Sequence, residues 1–103
     1  MDVGSAPLRR VLIVDDEPAV TQFLKVVVEH EGRYDTRLAG DGVRAVELFK
    51  SWKPDVVLLD LVLPDIDGIA LLRQLKSLDA SPEVIVISGV GAITRALEAG
   101  QAG

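Results

Sequence analysis

Short apolar runs alternate with segments whose apolar residues recur every three or four positions. Val11-Leu12-Ile13-Val14 is continuous and rich in β-branched residues, the pattern of a strand buried on both faces, and predicts a strand over 9–14. Glu17-Pro18 then opens a helix, since proline is tolerated in a first turn. Its apolar stripe is Val20, Phe23, Leu24, Val27 and Val28, and Gly32 closes it as a C-cap. Over 34–39, Tyr34, Thr36 and Leu38 alternate with Asp35 and Arg37, which predicts an edge strand with one wet face. Asp41 caps a second helix from Gly42 to about Ser51, with Ala45, Val46 and Phe49 inward, and Lys53-Pro54 ends it. A second buried strand covers 55–60. After a loop containing Pro64, Asp67-Gly68 starts a third helix carrying Ile69, Leu71, Leu72, Leu75 and Leu78. Ser81-Pro82 breaks the chain before a third buried strand, Val84-Ile85-Val86-Ile87, and a weaker fourth helix is expected over 92–99.

Strand followed by helix, repeated with short connections, predicts an α/β fold: a parallel sheet with helices on both faces. Right-handed crossovers leave few topologies, and sites in such folds lie beyond the carboxyl ends of the strands. Asp15, Asp16, Asp60 and Ser88 all fall at predicted strand ends and are expected to share one crevice.

Composition narrows the function. The chain has 103 residues, 49% apolar and 26% charged, the profile of one globular domain. A net charge of −5 without a basic block argues against nucleic-acid binding. The absence of cysteine excludes disulfides and thiolate metal sites. No apolar stretch approaches the ~18 residues of a membrane span, and the N-terminus lacks an apolar signal segment. The expectation is a soluble, cytoplasmic protein with no membrane contact.

The chemistry lies in the acids. A strand-end aspartate alone is as readily a helix cap as a ligand. Three of them, Asp15, Asp16 and Asp60, meeting on neighbouring strands would repel, at roughly 4 kcal/mol per pair at ~4 Å for an effective dielectric near 20. A chain that builds such a cluster usually places a hard cation there, and Mg2+, which prefers oxygen ligands, is the natural guest. This makes the cluster a candidate phosphoryl-transfer site. Other phosphoryl and nucleotide folds lack their signatures here. Glu17 stands where haloacid-dehalogenase-type phosphatases want a second aspartate. Neither Gly-x-x-x-x-Gly-Lys nor a Gly-x-Gly-x-x-Gly after the first strand is present. The bland readings of other residues are preferred: Asp65 and Asp67 shape a loop, Asp67 caps the third helix, Trp52 packs, and His30 is solvated near a helix end.

An ordered set of motifs resembles the receiver domain of two-component response regulators: Val14-Asp15-Asp16-Glu17-Pro18, Asp41-Gly42, the strand Pro54 to Asp60, the loop Leu63-Pro64-Asp65-Ile66-Asp67-Gly68, and Ser88-Gly89. The match covers about residues 8–100. The resemblance implies a doubly wound, flavodoxin-like sheet of order 2-1-3-4-5, with 8–103 the receiver; residues 1–7, small and polar, are expected to be a disordered leader. It implies that Asp60 is the phosphoacceptor, that Asp16 ligates Mg2+ directly, and that Asp15 holds metal-bound water. The backbone carbonyl of Val62 supplies the remaining protein ligand, and the Ser88 hydroxyl bonds the phosphoryl group. The implied partner is a sensor histidine kinase or a histidine phosphotransfer protein, whose phosphohistidine is the donor. Beyond catalysing its own phosphorylation and dephosphorylation, the domain is not expected to be an enzyme. Residues 86–93 also resemble receivers attached to sigma-54-type transcriptional activators.

The chain departs from the family where the fifth strand should begin, at Gly100-Gln101-Ala102-Gly103. The fifth strand and helix are therefore expected to be missing, leaving order 2-1-3-4 and a receiver truncated at its C-terminal end. A phosphoryl-contacting lysine and an aromatic readout residue go with them, and no lysine follows Lys76. Losing even ~400 Å² of apolar cover would cost up to ~10 kcal/mol, against a total stability of about 5–15 kcal/mol. Self-association through the exposed sheet edge or by element swapping is expected. The alternative function is a non-phosphorylated, receiver-like interaction or dimerisation module.

Overall fold

The structure is a computed structural model and describes residues 7–87. The expected leader, apart from Pro7, together with Ser88 and the expected fourth helix, lies outside the described residues. Within them the order is β1 (Arg9–Val14), α1 (Pro18–His30), β2 (Tyr34–Ala39), α2 (Gly42–Trp52), β3 (Val56–Leu59), α3 (Gly68–Leu78) and β4 (Glu83–Val86). The strands form one parallel sheet of order β2-β1-β3-β4, as the resemblance implied. β1 is thus central, paired with β2 from Arg9 to Val14 and with β3 from Val11 to Val14.

Strand alternation divides the sheet into two faces. Leu12, Val14, Ala39, Val57 and Leu59 share one face and pack with Ala45, Leu48 and Phe49 of α2 and Leu71 and Leu75 of α3. Leu12, Leu59, Leu71 and Leu75 are fully buried, each contributing about 1.5–3 kcal/mol by leaving water. Val11, Ile13 and Thr36 are buried on the face that α1 covers.

The helix signals act as read, with one refinement. Asp41 caps α2 by accepting the Arg44 N–H at 2.8 Å, and Asp67 caps α3 by accepting the Ile69 N–H at 2.9 Å. Lys53 ends α2 in the left-handed region (φ 56), and Gly32 (φ 76) follows the C-cap of α1. The predicted stripe of α1 is displaced. Its buried residue is Thr21, flanked by half-buried Leu24 and Val28, whereas Phe23 is 63% and Val27 50% exposed. The apolar arc of this helix is wider than its contact with β1 and β2, and only one side of it reaches the sheet. Glu29 fixes that rotation: it accepts from Lys25 Nζ (2.7 Å) and from the hydroxyl of Thr36 in β2. β4 begins one residue earlier than read and is not buried as a whole, with Ile85 and Val86 both exposed. Among the described residues it is one of the two edge strands, with β2 at the other edge.

Trp52 packs against the core, as expected, and also lies beneath two guanidiniums, Arg10 and Arg37, at 5.7 and 5.1 Å from its ring centre. Arg10 donates to the Trp52 carbonyl at 2.6 Å, and its N–H donates to Asp55 at 2.8 Å. Arg10, Trp52 and Asp55 thereby meet at the amino end of the sheet, away from the acids that follow the strands.

Candidate metal centre

The sheet ladder carries the acids to their places. Past the end of β1, the Asp15 N–H donates to the Ala39 carbonyl at 3.0 Å; past the end of β3, the Asp60 N–H donates to the Val14 carbonyl at 2.9 Å. Both backbones are therefore fixed by pairing with a neighbouring strand. Each side chain then folds onto the backbone two residues on: Asp15 Oδ1 accepts the Glu17 N–H at 2.9 Å, and Asp60 Oδ1 accepts the Val62 N–H at 3.1 Å. Such local bonds are the common habit of aspartate at turns. Here they turn both carboxylates the same way.

One oxygen each from Asp15, Asp16 and Asp60 lies within 4.8 Å of the others. Asp15 and Asp60 are buried and Asp16 is exposed, so the cluster has a dry floor and a wet mouth. Burial, above all, raises the Asp15 carboxyl above its ordinary pKa; the Glu17 N–H opposes this, and the charges of Asp60, Asp16 and Glu17 add to the rise. Asp15 Oδ2 is buried without a hydrogen-bond partner. An orphaned carboxylate oxygen facing other carboxylates costs more than the ordinary ~1–3 kcal/mol of an unsatisfied polar atom. A hard divalent cation answers both problems. In an octahedral shell at about 2.1 Å, neighbouring oxygens lie about 3 Å apart and opposite ones about 4.2 Å, so acids whose oxygens come within 4.8 Å of one another are near enough to share one ion, directly or through its water. The donor set, all oxygen and mostly charged, fits Mg2+.

The sequence expectations for Asp15, Asp16 and Asp60 thus meet in one pocket. The Val62 N–H donates to Asp60, which places its backbone next to the cluster, and Val62 is 52% exposed. Val62 also bridges to Asp67 across the loop. Ser88 lies outside the described residues. Two features escaped the sequence reading. Asp65 accepts the Gly42 and Val43 N–H groups, at 2.8 and 3.1 Å, tying the β3–α3 loop to α2. Gly68 presses on Leu61 so closely that a Cβ there would meet the Leu61 Cα at 2.2 Å. The Asp67-Gly68 pair was the available signal for the second. Nothing local marked the first.

A doubly wound α/β domain with an acidic pocket beyond its central strands is the class that fold and site define. The sequence model described as the response regulator receiver domain matches residues 11–103. The chain belongs to the response regulator receiver domain family, a family of signalling modules. It is 35% identical over 94 residues to the chemotaxis protein CheY of Bacillus subtilis, covering 91% of this chain and 78% of that protein. It is 46% identical over 70 residues to the transcriptional regulatory protein TrcR of Mycobacterium tuberculosis, covering 68% of this chain but only 27% of that protein. Among solved structures, the response regulator TrrA of Thermotoga maritima, in complex with Mg(2+)-BeF, matches with a TM-score of 0.76 and 28% identity. That match covers 89% of this chain and 79% of TrrA. A CheY-like receiver from Methanospirillum hungatei JF-1 matches with a TM-score of 0.74 and 28% identity, covering 90% and 76%. No helix among the described residues is long and apolar enough to cross a membrane.

Proposed function

We propose that the chain accepts a phosphoryl group on Asp60 from a phosphohistidine donor, on a sensor histidine kinase or a histidine phosphotransfer protein, with Mg2+ in the acidic pocket. The observation that carries this reading is the meeting of the Asp15, Asp16 and Asp60 oxygens within 4.8 Å, with one Asp15 oxygen buried and unsatisfied. The relative solved with Mg(2+)-BeF supports the same choice of ion. Asp15, Asp16, Asp60 and the Val62 carbonyl are the proposed holders of the metal. When bound, Mg2+ offsets the pocket's negative charge and that of the incoming phosphoryl group.

The rest of the chemistry belongs to the chain. The Val62 N–H occupies Asp60 Oδ1 and fixes the rotation of the carboxylate, leaving Oδ2 as the nucleophile. Oδ2 attacks phosphorus, the P–N bond breaks, and its electron pair stays on the imidazole nitrogen of the donor, giving an aspartyl phosphate. Catalysis is mostly positioning: β3 holds Asp60 at the strand end, and Asp15, buried beside it, would hold metal-bound water. The Ser88 hydroxyl completes the proposed set on sequence grounds, as a donor to the phosphoryl oxygens. The modified site then changes the affinity of the domain for partners or an output domain.

Incubation with acetyl phosphate and Mg2+ tests this. The expected result is one phosphoryl mass increment, absent from Asp60→Asn and abolished by EDTA. A second reading, an unphosphorylated interaction module, is favoured by exposed Phe23, Val26 and Val27 on α1. No mass increment in the wild type would select it.

A further inference from the structure

The loop from Leu61 to Asp67 leaves the pocket at Asp60 and returns to the start of α3. Near the pocket it is held by the Val62–Asp60 bond and the Val62–Asp67 bridge. Its far half is held by the Asp65 carboxylate, with Ile66 packed against the core. Asp65 Oδ1 accepts the Gly42 N–H and Oδ2 the Val43 N–H, at 2.8 and 3.1 Å. The methyl of Ile66 sits against Gly42, where a Cβ would come within 2.4 Å of it. The first turn of α2 is therefore satisfied from two directions. Asp65 takes the amides of Gly42 and Val43 from across the fold, while Asp41, the helix's own cap, takes those of Arg44 and Ala45 through its side chain and carbonyl. Helix starts leave such donors unpaired unless something meets them, and a carboxylate there also suits the helix dipole.

We propose that Asp65 is a positioning residue for the metal centre: by gripping the first two amides of α2 it holds rigid the loop that presents the Val62 backbone beside Asp60. The inference rests on the reading of the pocket as a Mg2+ site. A carboxylate that only caps α2 would stabilise the helix and leave the pocket indifferent to its loss. A carboxylate that braces the loop governs the pocket as well, as partners of metal-holding groups generally do.

Asp41 provides the contrast: among the described residues its hydrogen bonds go to the amides of α2 itself, Arg44 and Ala45. The full chain and its variants Asp65→Ala, Asp65→Asn and Asp41→Ala are titrated with magnesium chloride at a temperature where all remain folded by circular dichroism. Binding is followed through the amide NMR shifts of Asp16 and Val62. Asp65→Ala is expected to weaken Mg2+ binding about tenfold, Asp65→Asn less, since its amide oxygen still accepts the Gly42 N–H. Asp41→Ala is expected to bind as the wild type does despite a comparable loss of thermal stability. Equal weakening by Asp41→Ala, or binding by Asp65→Ala within about twofold of the wild type, overturns the proposal. Hydrogen exchange of the Val62 amide without metal is the second readout: about tenfold faster in Asp65→Ala and unchanged in Asp41→Ala, as expected of a loosened local brace. If the wild type ignores Mg2+, the metal reading fails on its own, and unchanged Val62 exchange in Asp65→Ala then rejects the brace separately.

Discussion

Asp15 and Asp60 orient their carboxylates by the same local device, each accepting the N–H two residues further on, Glu17 and Val62, from the ends of two hydrogen-bonded parallel strands. The two acids are thus built to face a common point, although their charges oppose it. Without metal, the arrangement is a strained one held by the rest of the fold. Asp15→Asn keeps an oxygen for the Glu17 N–H and removes a buried charge. The metal-free variant is expected to be more stable than the wild type, by about 1 kcal/mol, and to bind Mg2+ more weakly. Urea melts with and without Mg2+ check both signs; a destabilised metal-free variant would contradict the account of the pocket.

Gly68 leaves no room for a side chain, because the obstruction is the Leu61 backbone and not a movable terminus. Its N–H also donates to the Leu61 carbonyl at 3.0 Å. Gly68→Ala is expected to cost about 2–3 kcal/mol, read as a lowered urea midpoint. An unchanged midpoint would mean that the loop yields freely.

Glu29 gives a pH dependence of known sign. Hydrogen bonds from Lys25, first, and from Thr36 hold its carboxyl below the ordinary value of 4.5. A depressed native pKa stabilises the fold above the unfolded value, and that contribution is lost as pH falls through the native one. The wild type is therefore expected to exceed Glu29→Gln in stability at neutral pH, with the gap closing below pH 4.5. Because the side chain is about a third exposed, the gap is small. A gap that widens on acidification contradicts the role assigned to this bond.

Phe23, Val26 and Val27, at 63, 67 and 50% exposure, form an apolar side on α1 turned away from the sheet. Contiguous exposed apolar residues of this kind mark interaction surfaces. The 103-residue chain is expected to self-associate at micromolar concentrations, and Phe23→Asp with Val27→Asp to shift it towards monomer. Size exclusion with light scattering checks this; a wild type monomeric at all concentrations rejects it.

Much of this was legible in the chain itself, for physical reasons. Apolar runs ending in Asp15 and Asp60 announce buried strands and the strand-end position of the acids, since burial on both faces leaves no polar gap before the edge. Asp41-Gly42 and Asp67-Gly68 announce helix starts because a cap and a tight approach are local needs. Rotation was harder. Val20, Phe23, Leu24, Val26, Val27 and Val28 make a wide apolar arc, and periodicity cannot say which part of such an arc finds the sheet. The bond from Glu29 to Thr36, between elements, makes that choice. The Asp65 tie to Gly42 spans 23 positions and follows no periodic rule, so only the folded chain reveals it.

The central strand has a consequence for ion choice. Val11–Val14 is bonded to neighbours on both flanks, so the pair of acids that follows it has little slack. An ion of different radius must be met from the other side, by the stretch that runs from Asp60 through Val62. If the cluster holds the proposed ion, discrimination between a small guest such as Mg2+ and a larger one such as Ca2+ would rest on that stretch's compliance, with the strand as the fixed jaw of a gauge.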